Sequence, residues 1–313
     1  TSIINATNAS TNSVSQILSR TIATNTASNT AKNSGTVAMI KAIQAAAPTK
    51  TALVLKDNAS VAMDPALVGA AGPAILEVWF PGQEDGNIVA QLLFGKDLAG
   101  NSISPNGKLP VTFPFAGKSF LDSATVDQFP GRPSADGTAQ LVDYTEKLHM
   151  GYRWYDNEQK SGNCASTADQ SNACVAFPFG HGLSYNTKVT IGTPTVSSKT
   201  TRVSMSDYKT THEVKVTVKN GDTTKAGTEV VQLYVSLPEM GSSEAAPQPP
   251  KRLVGFQKVS LAAGESKELT FTINSTDTNH PLSIWSKAFK LWATPSGTVT
   301  FYAGKSSSPR DLK

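Results

Sequence analysis

Residues 81–87 read Pro-Gly-Gln-Glu-Asp-Gly-Asn, a run of turn-forming residues between two apolar segments. The preceding residues 74–80 are mostly apolar and predict a buried strand. The apolar residues of 88–95 fall on one face of a helix that ends at a glycine. The order of strand, turn and helix is typical of an α/β unit.

The residues upstream of this turn repeat the same pattern. Residues 37–47 carry a helical stripe of apolar side chains, and residues 51–55 predict a buried parallel strand. Asp64 and Pro65 are a favourable pair for beginning a short helix over 66–70. Two strands in a mostly parallel sheet are therefore expected, with helices between them.

The C-terminal third has a different periodicity. Apolar and polar residues alternate in 214–218, 231–235, 269–273 and 299–303, and Asn220-Gly221 marks a turn after the first of these segments. Several short strands of this kind predict an antiparallel sandwich. Residues 1–36, 37–115, 116–187 and 188–313 are accordingly interpreted as a Ser/Thr/Asn-rich loop or linker, an α/β domain, an irregular wrapping region and a β-sandwich.

Composition excludes some classes of function. The chain has 313 residues, of which 39% are hydrophobic and 17% charged, and its net charge of +4 forms no basic cluster with interleaved aromatics. Binding to nucleic acid is therefore not expected. The longest apolar runs, such as residues 73–80, are well short of the roughly 20 residues that span a bilayer, so no membrane association is expected.

The two cysteines, Cys164 and Cys174, lie in a loop without a nearby histidine. This context is poor for a metal site and favours a local disulfide, which suits a secreted or periplasmic protein. Four Asn-X-Ser/Thr triplets are weaker indications of secretion, since a chain rich in these residues produces them by chance: Asn5, Asn8, Asn58 and Asn274.

Several segments, taken in order, resemble a known family. Residues 53–57, 75–95, 107–114, 144–146 with 151–156, and 177–185 are similar to the second domain of β-glucosidases of glycoside hydrolase family three. Residues 251–259 and 264–266 resemble the fibronectin type III-like domain of the same enzymes. The resemblance implies a partial α/β sandwich with a mostly parallel sheet, followed by an all-β fibronectin type III-like sandwich.

The resemblance also implies a mechanism. Family members are retaining, exo-acting glycosidases that use two carboxylates. The nucleophilic Asp is expected in an N-terminal (β/α)8 barrel, and the acid/base Glu on a loop that corresponds to residues 21–26 here. These residues read Thr-Ile-Ala-Thr-Asn-Thr, and no Asp or Glu precedes Asp57. The sequence therefore offers no catalytic residue, and the chain alone is expected to be inactive.

Some polar residues have both a functional and a structural interpretation. Glu84 and Asp85 follow a strand and could face a ligand, but capping of the next helix is favoured. His181 could contact a sugar, but a role in fixing its tight loop is favoured. Glu146 could face an active site, but an ion pair with Arg153 is favoured.

The aromatic residues are similarly ambiguous. Trp79, Trp154 and Tyr155 could stack on a sugar, although packing between domains explains them equally well. Trp285 and Trp292 are expected in the core of the sandwich or at its rim. No cofactor-binding or metal-binding residue is assigned, because the histidines are few and scattered and no phosphate-binding glycine motif is present.

Two functions remain open at this point. The first is the C-terminal portion of a β-glucosidase-like enzyme that hydrolyses terminal non-reducing β-linked sugars together with a barrel chain or domain. The second is a non-catalytic carbohydrate-binding or structural module derived from that scaffold. The first implies a β-linked oligosaccharide or glycoside as substrate, and neither implies a cofactor.

Overall fold

The structure, a computed structural model, describes residues 35–166, 172–186, 188–204, 208–241 and 245–313. The predicted linker at 1–36 lies almost wholly outside the described residues. The expected position of the proton donor at 21–26 and the triplets at Asn5 and Asn8 also lie outside them.

Helices and strands occupy the following bounds. The helices are α1 (35–46), α2 (Asp85–Phe94), α3 (Phe120–Ser123) and α4 (Tyr152–Lys160). The strands are β1 (Ala52–Leu55), β2 (Ala74–Glu77), β3 (Phe113–Pro114), β4 (Arg132–Pro133), β5 (Gln140–Leu141), β6 (Val175–Phe177), β7 (Val189–Ile191), β8 (Thr195–Arg202), β9 (Tyr208–Asn220), β10 (Gly227–Ser236), β11 (Arg252–Leu261), β12 (Ser266–Asn274), β13 (Ile284–Ser286), β14 (Leu291–Ala293) and β15 (Thr300–Gly304). Within the described ranges, every helix is too short or too polar to cross a membrane.

The chain divides into two compact units. One contains the described part of Thr1–Lys56 with Ala62–Val78 and Phe115–Thr145, and the other contains Asp57–Val61, Trp79–Pro114 and Glu146–Lys313. This division cuts across the predicted segment 37–115, and the four predicted boundaries stay a prediction.

In the first unit, β1 and β2 form the parallel pair that the sequence predicts, with Ala52 opposite Ala74 and Leu55 opposite Glu77. The two strands are half-buried, whereas their apolar sequences predicted full burial. β2 also ends earlier than the predicted residue 80. The reason is local, because the backbone of Trp79 has φ 53°, a left-handed conformation that cannot continue a strand.

The predicted helix cap at Asp64 is confirmed. Its Oδ1 accepts a hydrogen bond from the backbone N of Ala66 at 2.8 Å, and Pro65 occupies the first turn. The helix itself is shorter than the predicted 66–70, since only a 3-10 turn over Pro65–Leu67 forms. Gly69 has φ 93° and takes the chain out of the helical region.

In the second unit, α2 confirms the helix predicted after the turn at 81–87. It ends at Gly95, which adopts a left-handed conformation with φ 64°. The region 116–187, predicted to be irregular, contains α4. This helix buries only one side chain, Tyr155, so its sequence lacks the wide apolar stripe by which helices are recognised.

The second unit also contains the predicted sandwich. One sheet has the order β11-β10-β15, and the other has the order β12-β9-β7 with β8 also paired to β9. All these pairs are antiparallel. Their inward side chains form one core, which includes Val214, Val216, Val218, Val231, Leu233, Val235, Phe271, Ile273, Phe301 and Ala303. The fold is therefore α/β followed by an all-β sandwich, as the sequence predicts.

Candidate functional site

Two of the motifs that carry the family resemblance lie side by side in the second unit. The backbone N of Leu109 donates to the carbonyl of His181 at 2.8 Å, and the N of Gly180 donates back to the carbonyl of Leu109 at 2.8 Å. Phe113 of β3 pairs with Phe177 of β6. The segments 107–114 and 177–185 thus form one two-stranded structure.

His181 fixes this structure. Its ring stacks on that of Phe177, with ring centroids 5.2 Å apart and 30° between the planes. Burial lowers the pKa of His181, the nearby carboxylate of Asp311 opposes that shift, and Lys108 adds to it. The structure therefore agrees with the favoured interpretation, in which His181 holds its loop.

A buried ionic cluster joins these motifs to the sandwich. Nζ of Lys108 lies 2.7 Å from Oε1 of Glu229, and the two side chains are 12% and 10% exposed. The same lysine donates to the carbonyl of Gly182 at 2.8 Å. Lys305, from the opposite side, lies 3.4 Å from Oε2 of Glu229. One carboxylate on β10 is thus neutralised by a lysine from the motif and a lysine that follows β15.

The outer face of β10 is buried against the same motif. Nε2 of Gln232 donates to the carbonyls of Gly180 at 3.1 Å and Lys305 at 2.7 Å, and the hydroxyl of Tyr234 donates to Oε1 of Gln232 at 2.6 Å. Burial raises the pKa of Tyr234. A side chain at Gly180 would collide with Gln232, and Gly180 has a left-handed φ of 80°. Both facts explain the glycine at this position.

Sequence reasoning missed this second buried face. The alternation of 231–235 predicts one inward face, yet Gln232 and Tyr234 are only 3% and 0% exposed. The signal was present in the run Val-Val-Gln-Leu-Tyr-Val at 230–235, which is nearly continuous in large side chains. Such runs are typical of strands that are buried on both sides.

Helix α4 adds a second set of contacts with the sandwich. The hydroxyl of Tyr152 accepts a hydrogen bond from the backbone N of Leu253 at 2.8 Å, and its ring stacks on Phe179 at 4.9 Å. One turn later, Oδ2 of Asp156 lies 2.6 Å from Nζ of Lys251. Burial raises the pKa of Asp156, and the ammonium group of Lys251 opposes that shift.

The predicted disulfide between Cys164 and Cys174 is present. Both cysteines are buried with Tyr155 of α4, and Trp154 packs against this cluster. Asn172 closes the loop, because its Nδ2 donates to the carbonyl of Tyr155 at 2.8 Å and its Oδ1 accepts from the N of Cys174 at 2.9 Å. The bond therefore fixes the end of α4.

The acidic residues Glu84 and Asp85 lie at the start of α2. Glu84 lies at the cap position of α2 but makes no capping hydrogen bond, so that part of the prediction is wrong. Its carboxylate instead accepts from Nδ2 of Asn87 at 2.7 Å, one turn along the chain. Asp85 does lie in the first turn of α2. The proposed ion pair of Glu146 with Arg153 stays a prediction, and the guanidinium of Arg153 lies 5.8 Å from the ring centroid of Tyr152.

The aromatic candidates pack within the unit or line its surface. Trp79 meets Phe113 edge to face at 6.0 Å, and Trp154 meets Tyr155 in the same way at 4.8 Å. Trp285 and Trp292 lie opposite each other on β13 and β14, outside the sandwich core, and are 46% and 45% exposed. They occupy the rim.

The described residues form packing contacts, and we find no cleft lined by catalytic or metal-binding side chains among them. No cluster of three or more His, Cys, Asp or Glu within the described ranges could hold a metal ion. An open groove of about 490 Å³ on the sandwich contains no carboxylate, and its lining comprises Val196, Ser198, His212, Gly297, Thr298, Val299, Thr300 and Phe301. The motifs form a closely packed junction with the sandwich.

Comparison with protein families matches both parts of the chain. The model of the glycosyl hydrolase family 3 C-terminal domain matches residues 21–185, and that of the fibronectin type III-like domain matches residues 229–307. The first match covers more than half of the chain, and both occur in the order that the sequence predicts.

Among similar proteins, β-glucosidase B of Emericella nidulans is 33% identical over 237 residues, which are 74% of this chain and 24% of that protein. The solved structure of DesR, a β-glucosidase from Streptomyces venezuelae in complex with D-glucose, is 35% identical with a TM-score of 0.61 and covers 84% of this chain and 28% of its own. The β-glucosidase of Kluyveromyces marxianus in complex with glucose has a TM-score of 0.65 at 28% identity, covering 88% of this chain and 27% of its own.

The chain spans about a quarter to a third of the length of the curated relatives that it matches. Its two matched domains, their order and their shared motifs agree with the fold described above. The chain belongs to glycoside hydrolase family 3, of which it carries the C-terminal domain and the fibronectin type III-like domain.

Proposed function

We propose that this chain is the C-terminal portion of a retaining, exo-acting β-glucosidase-like enzyme that removes terminal non-reducing β-linked sugars. The observation that carries the proposal is the ordered match of both domains, at 21–185 and 229–307, to a family whose similar members are named β-glucosidases. Both of the solved structures named above contain bound glucose.

The catalytic carboxylates are proposed to come from elsewhere. Retaining glycosidases need one carboxylate to attack the anomeric carbon and a second to protonate the leaving oxygen, with the two groups about 5 to 5.5 Å apart. No Asp or Glu precedes Asp57, and the expected proton-donor segment at 21–26 contains only Thr, Ile, Ala and Asn. We therefore assign the nucleophilic Asp to an N-terminal (β/α)8 barrel, on a partner chain or a longer polypeptide, and we propose that the proton donor also lies outside this chain.

Exposed apolar surface supports a missing neighbour. In the second unit, Phe80, Phe94 and Leu98 are 69%, 81% and 82% exposed. Groups of exposed apolar residues commonly mark contacts with another protein surface. The relatives, which are about three times as long, carry further chain that could cover them.

In this proposal, the chain's own residues provide support. The junction of Lys108, Glu229, Gln232 and Tyr234 holds the motifs against the sandwich, so that loops facing the barrel keep one position. The proposed substrate is a β-linked glycoside or oligosaccharide. The disulfide supports secretion or export to the periplasm. The division into segments 1–36, 37–115, 116–187 and 188–313 is part of the same proposal.

The alternative, a non-catalytic carbohydrate-binding or structural module, is less well supported. The similar proteins are named as β-glucosidases.

The test begins with the native protein. Its intact mass and N-terminal sequence establish whether this chain is joined to, or copurifies with, a barrel domain. That native protein should release nitrophenol from 4-nitrophenyl β-glucoside, and replacing the barrel's nucleophilic Asp with Asn should abolish the release. A barrel-containing protein that binds glycans without hydrolysing aryl glycosides would overturn the enzyme assignment in favour of the module.

A further inference from the structure

The hairpin of β13 and β14 presents two tryptophans at the surface of the second unit. Trp285 pairs directly with Trp292 across the strands, and their ring centroids are 5.6 Å apart at an angle of 75°. Each is nearly half exposed. Since paired aromatics of this size are normally buried, their exposure calls for an explanation.

The hairpin holds these rings in place from beneath. Along β13, Ile284 and Ser286 are 1% and 0% exposed, so the strand's alternation fixes Trp285 on the outer face. Nη2 of Arg252 donates to the carbonyls of Pro281 and Ser283, both at 2.8 Å. The two tryptophans are therefore presented by a well-anchored segment.

His280 completes the surface. Its ring stacks on Trp292 with centroids 4.3 Å apart and 15° between the planes. Its backbone has φ 50°, a conformation that non-glycine residues adopt only where the surroundings enforce it, and its N donates to the carbonyl of Asp277 at 2.9 Å. Phe289, 74% exposed, lies in the connection between the strands. We call His280, Trp285, Phe289 and Trp292 the aromatic platform.

The charge around the aromatic platform indicates which ligand it suits. Residues 278–310 contain no Asp or Glu, and the hairpin connection carries Lys287 and Lys290. The adjacent Asp277 is already engaged, because its carboxylate accepts hydrogen bonds from the backbone N and from Nδ2 of Asn274. A polyhydroxylated ligand fits this surface, because its hydroxyl oxygens can accept hydrogen bonds from Lys290. The C–H faces of its sugar rings can also pack on aromatic rings.

We infer that the aromatic platform is a binding site for a β-linked glucan chain. The inference rests on the proposed function for the identity of the sugar. Such a site would hold the protein on a polymeric substrate and raise the local concentration of chain ends, as a second binding module does. It would act whether or not hydrolysis occurs in the same molecule.

The test is affinity electrophoresis of the 313-residue chain in native gels containing soluble mixed-linkage β-glucan, with α-linked dextran as the comparison polymer. We expect retardation by β-glucan alone. Trp285→Ala or Trp292→Ala should weaken binding about tenfold, as for loss of a central aromatic anchor. The matched control is Phe256→Ala, which removes an exposed aromatic side chain from β11 and should leave binding unchanged.

A second measurement avoids any folding defect of the variants. Saturating β-glucan should slow the oxidation of the wild-type tryptophans by N-bromosuccinimide, and dextran should not. Migration of the wild-type chain unaffected by β-glucan, or equal retardation of wild type and both tryptophan variants, would overturn the inference. So would a dimer in light scattering that Trp285→Ala dissociates, since the platform would then bind a second copy.

The outcomes for the two proposals are separable. Glucan binding through the platform with no hydrolysis by the barrel-containing native protein removes the enzyme function and leaves the site. Hydrolysis by the native protein without glucan binding by this chain removes the site and leaves the enzyme function.

Discussion

Nζ of Lys251 lies 2.6 Å from Oδ2 of Asp156, and the two side chains are 9% and 10% exposed. Lys251 immediately precedes β11 of the sandwich, and Asp156 lies in the middle of α4. This pair joins a family motif to the fibronectin type III-like domain at a point that water hardly reaches. We therefore expect removal of one partner to destabilise the chain far more than the same change in an ion pair at the surface.

Replacing Lys251 with Met should destabilise the chain strongly. The change leaves the carboxyl group of Asp156 buried without its partner, and losses of about 3 to 5 kcal/mol are typical for such changes. Denaturant unfolding at neutral pH measures the loss. The loss of unfolding free energy should be smaller at acidic pH. Burial already raises the pKa of Asp156, so its carboxylate can take up a proton once Lys251 is absent.

The matched control is Lys215→Met. Lys215 lies 3.2 Å from Glu268, but these side chains are 46% and 55% exposed. Exposed pairs contribute at most about 1 kcal/mol. Equal losses for the two lysine variants would contradict the role assigned to the buried pair.

The stability of the chain should depend on His181 below neutral pH. Burial lowers the pKa of His181 in the folded state, so the unfolded chain binds a proton first as the pH falls. The stability that neutral His181 provides is complete above the unfolded pKa of about 6.5 and is lost as the pH falls below it.

The variant His181→Phe keeps an aromatic ring to stack on Phe177 and removes the titrating group. Unfolding free energies of wild type and variant, measured between pH 5 and about 8, should converge or cross at the acidic end. A constant difference across this range would mean that His181 has an ordinary pKa in the folded protein.

The disulfide should stabilise the second unit. Cys164 and Cys174 are 10 residues apart, and closing a loop of this size contributes about 2 to 3 kcal/mol by the chain-entropy relation. Replacing both cysteines with Ser should lower the unfolding free energy by that amount. Reduction of the wild type should give a similar loss, and reductant should have no effect on the double variant. A wild type insensitive to reductant would refute this assignment.

Substitution by alanine should have very different effects on stability at two glycines of the motif junction. A Cβ at Gly182 would collide with the carbonyl oxygen of Gly107, whereas a Cβ at Gly107 would meet nothing within 4 Å. Gly182→Ala should cost about 1 to 3 kcal/mol, as for other overpacked sites, and Gly107→Ala should be neutral or slightly stabilising. Thermal unfolding of both variants measures this, and equal melting temperatures would show that the segments are not closely packed.

The periodicity of apolar residues predicted those helices and strands that bury one face against the core. The alternation of Val214, Val216 and Val218 identified β9, and the stripe of 88–95 identified α2. Prediction from periodicity failed for elements that bury side chains on both faces and for elements that bury almost none. Strand β10 carries Gln232 and Tyr234 on a second buried face, and α4 buries Tyr155 alone. Neither arrangement gives a regular spacing of apolar residues in the sequence.

The contacts of the motif residues were harder to predict from the sequence than the fold. The motifs identified the family, yet their roles depend on partners distant in sequence, such as Glu229 for Lys108 and Gln232 for Gly180. Capping by Glu84 was predicted from its position, but the carboxylate accepts a hydrogen bond from Asn87 instead. Pairings across more than 50 residues follow from the tertiary fold, which local pattern does not specify.

The central claim is that the groups that cleave the sugar lie outside this chain. Its most direct test is the rate at which the purified 313-residue chain, free of any companion, releases nitrophenol from 4-nitrophenyl β-glucoside. We predict a rate equal to that of buffer, and restoration of hydrolysis only when the barrel is present. Turnover by the chain alone on the order of one per second, within the usual range for enzymes, would contradict the account.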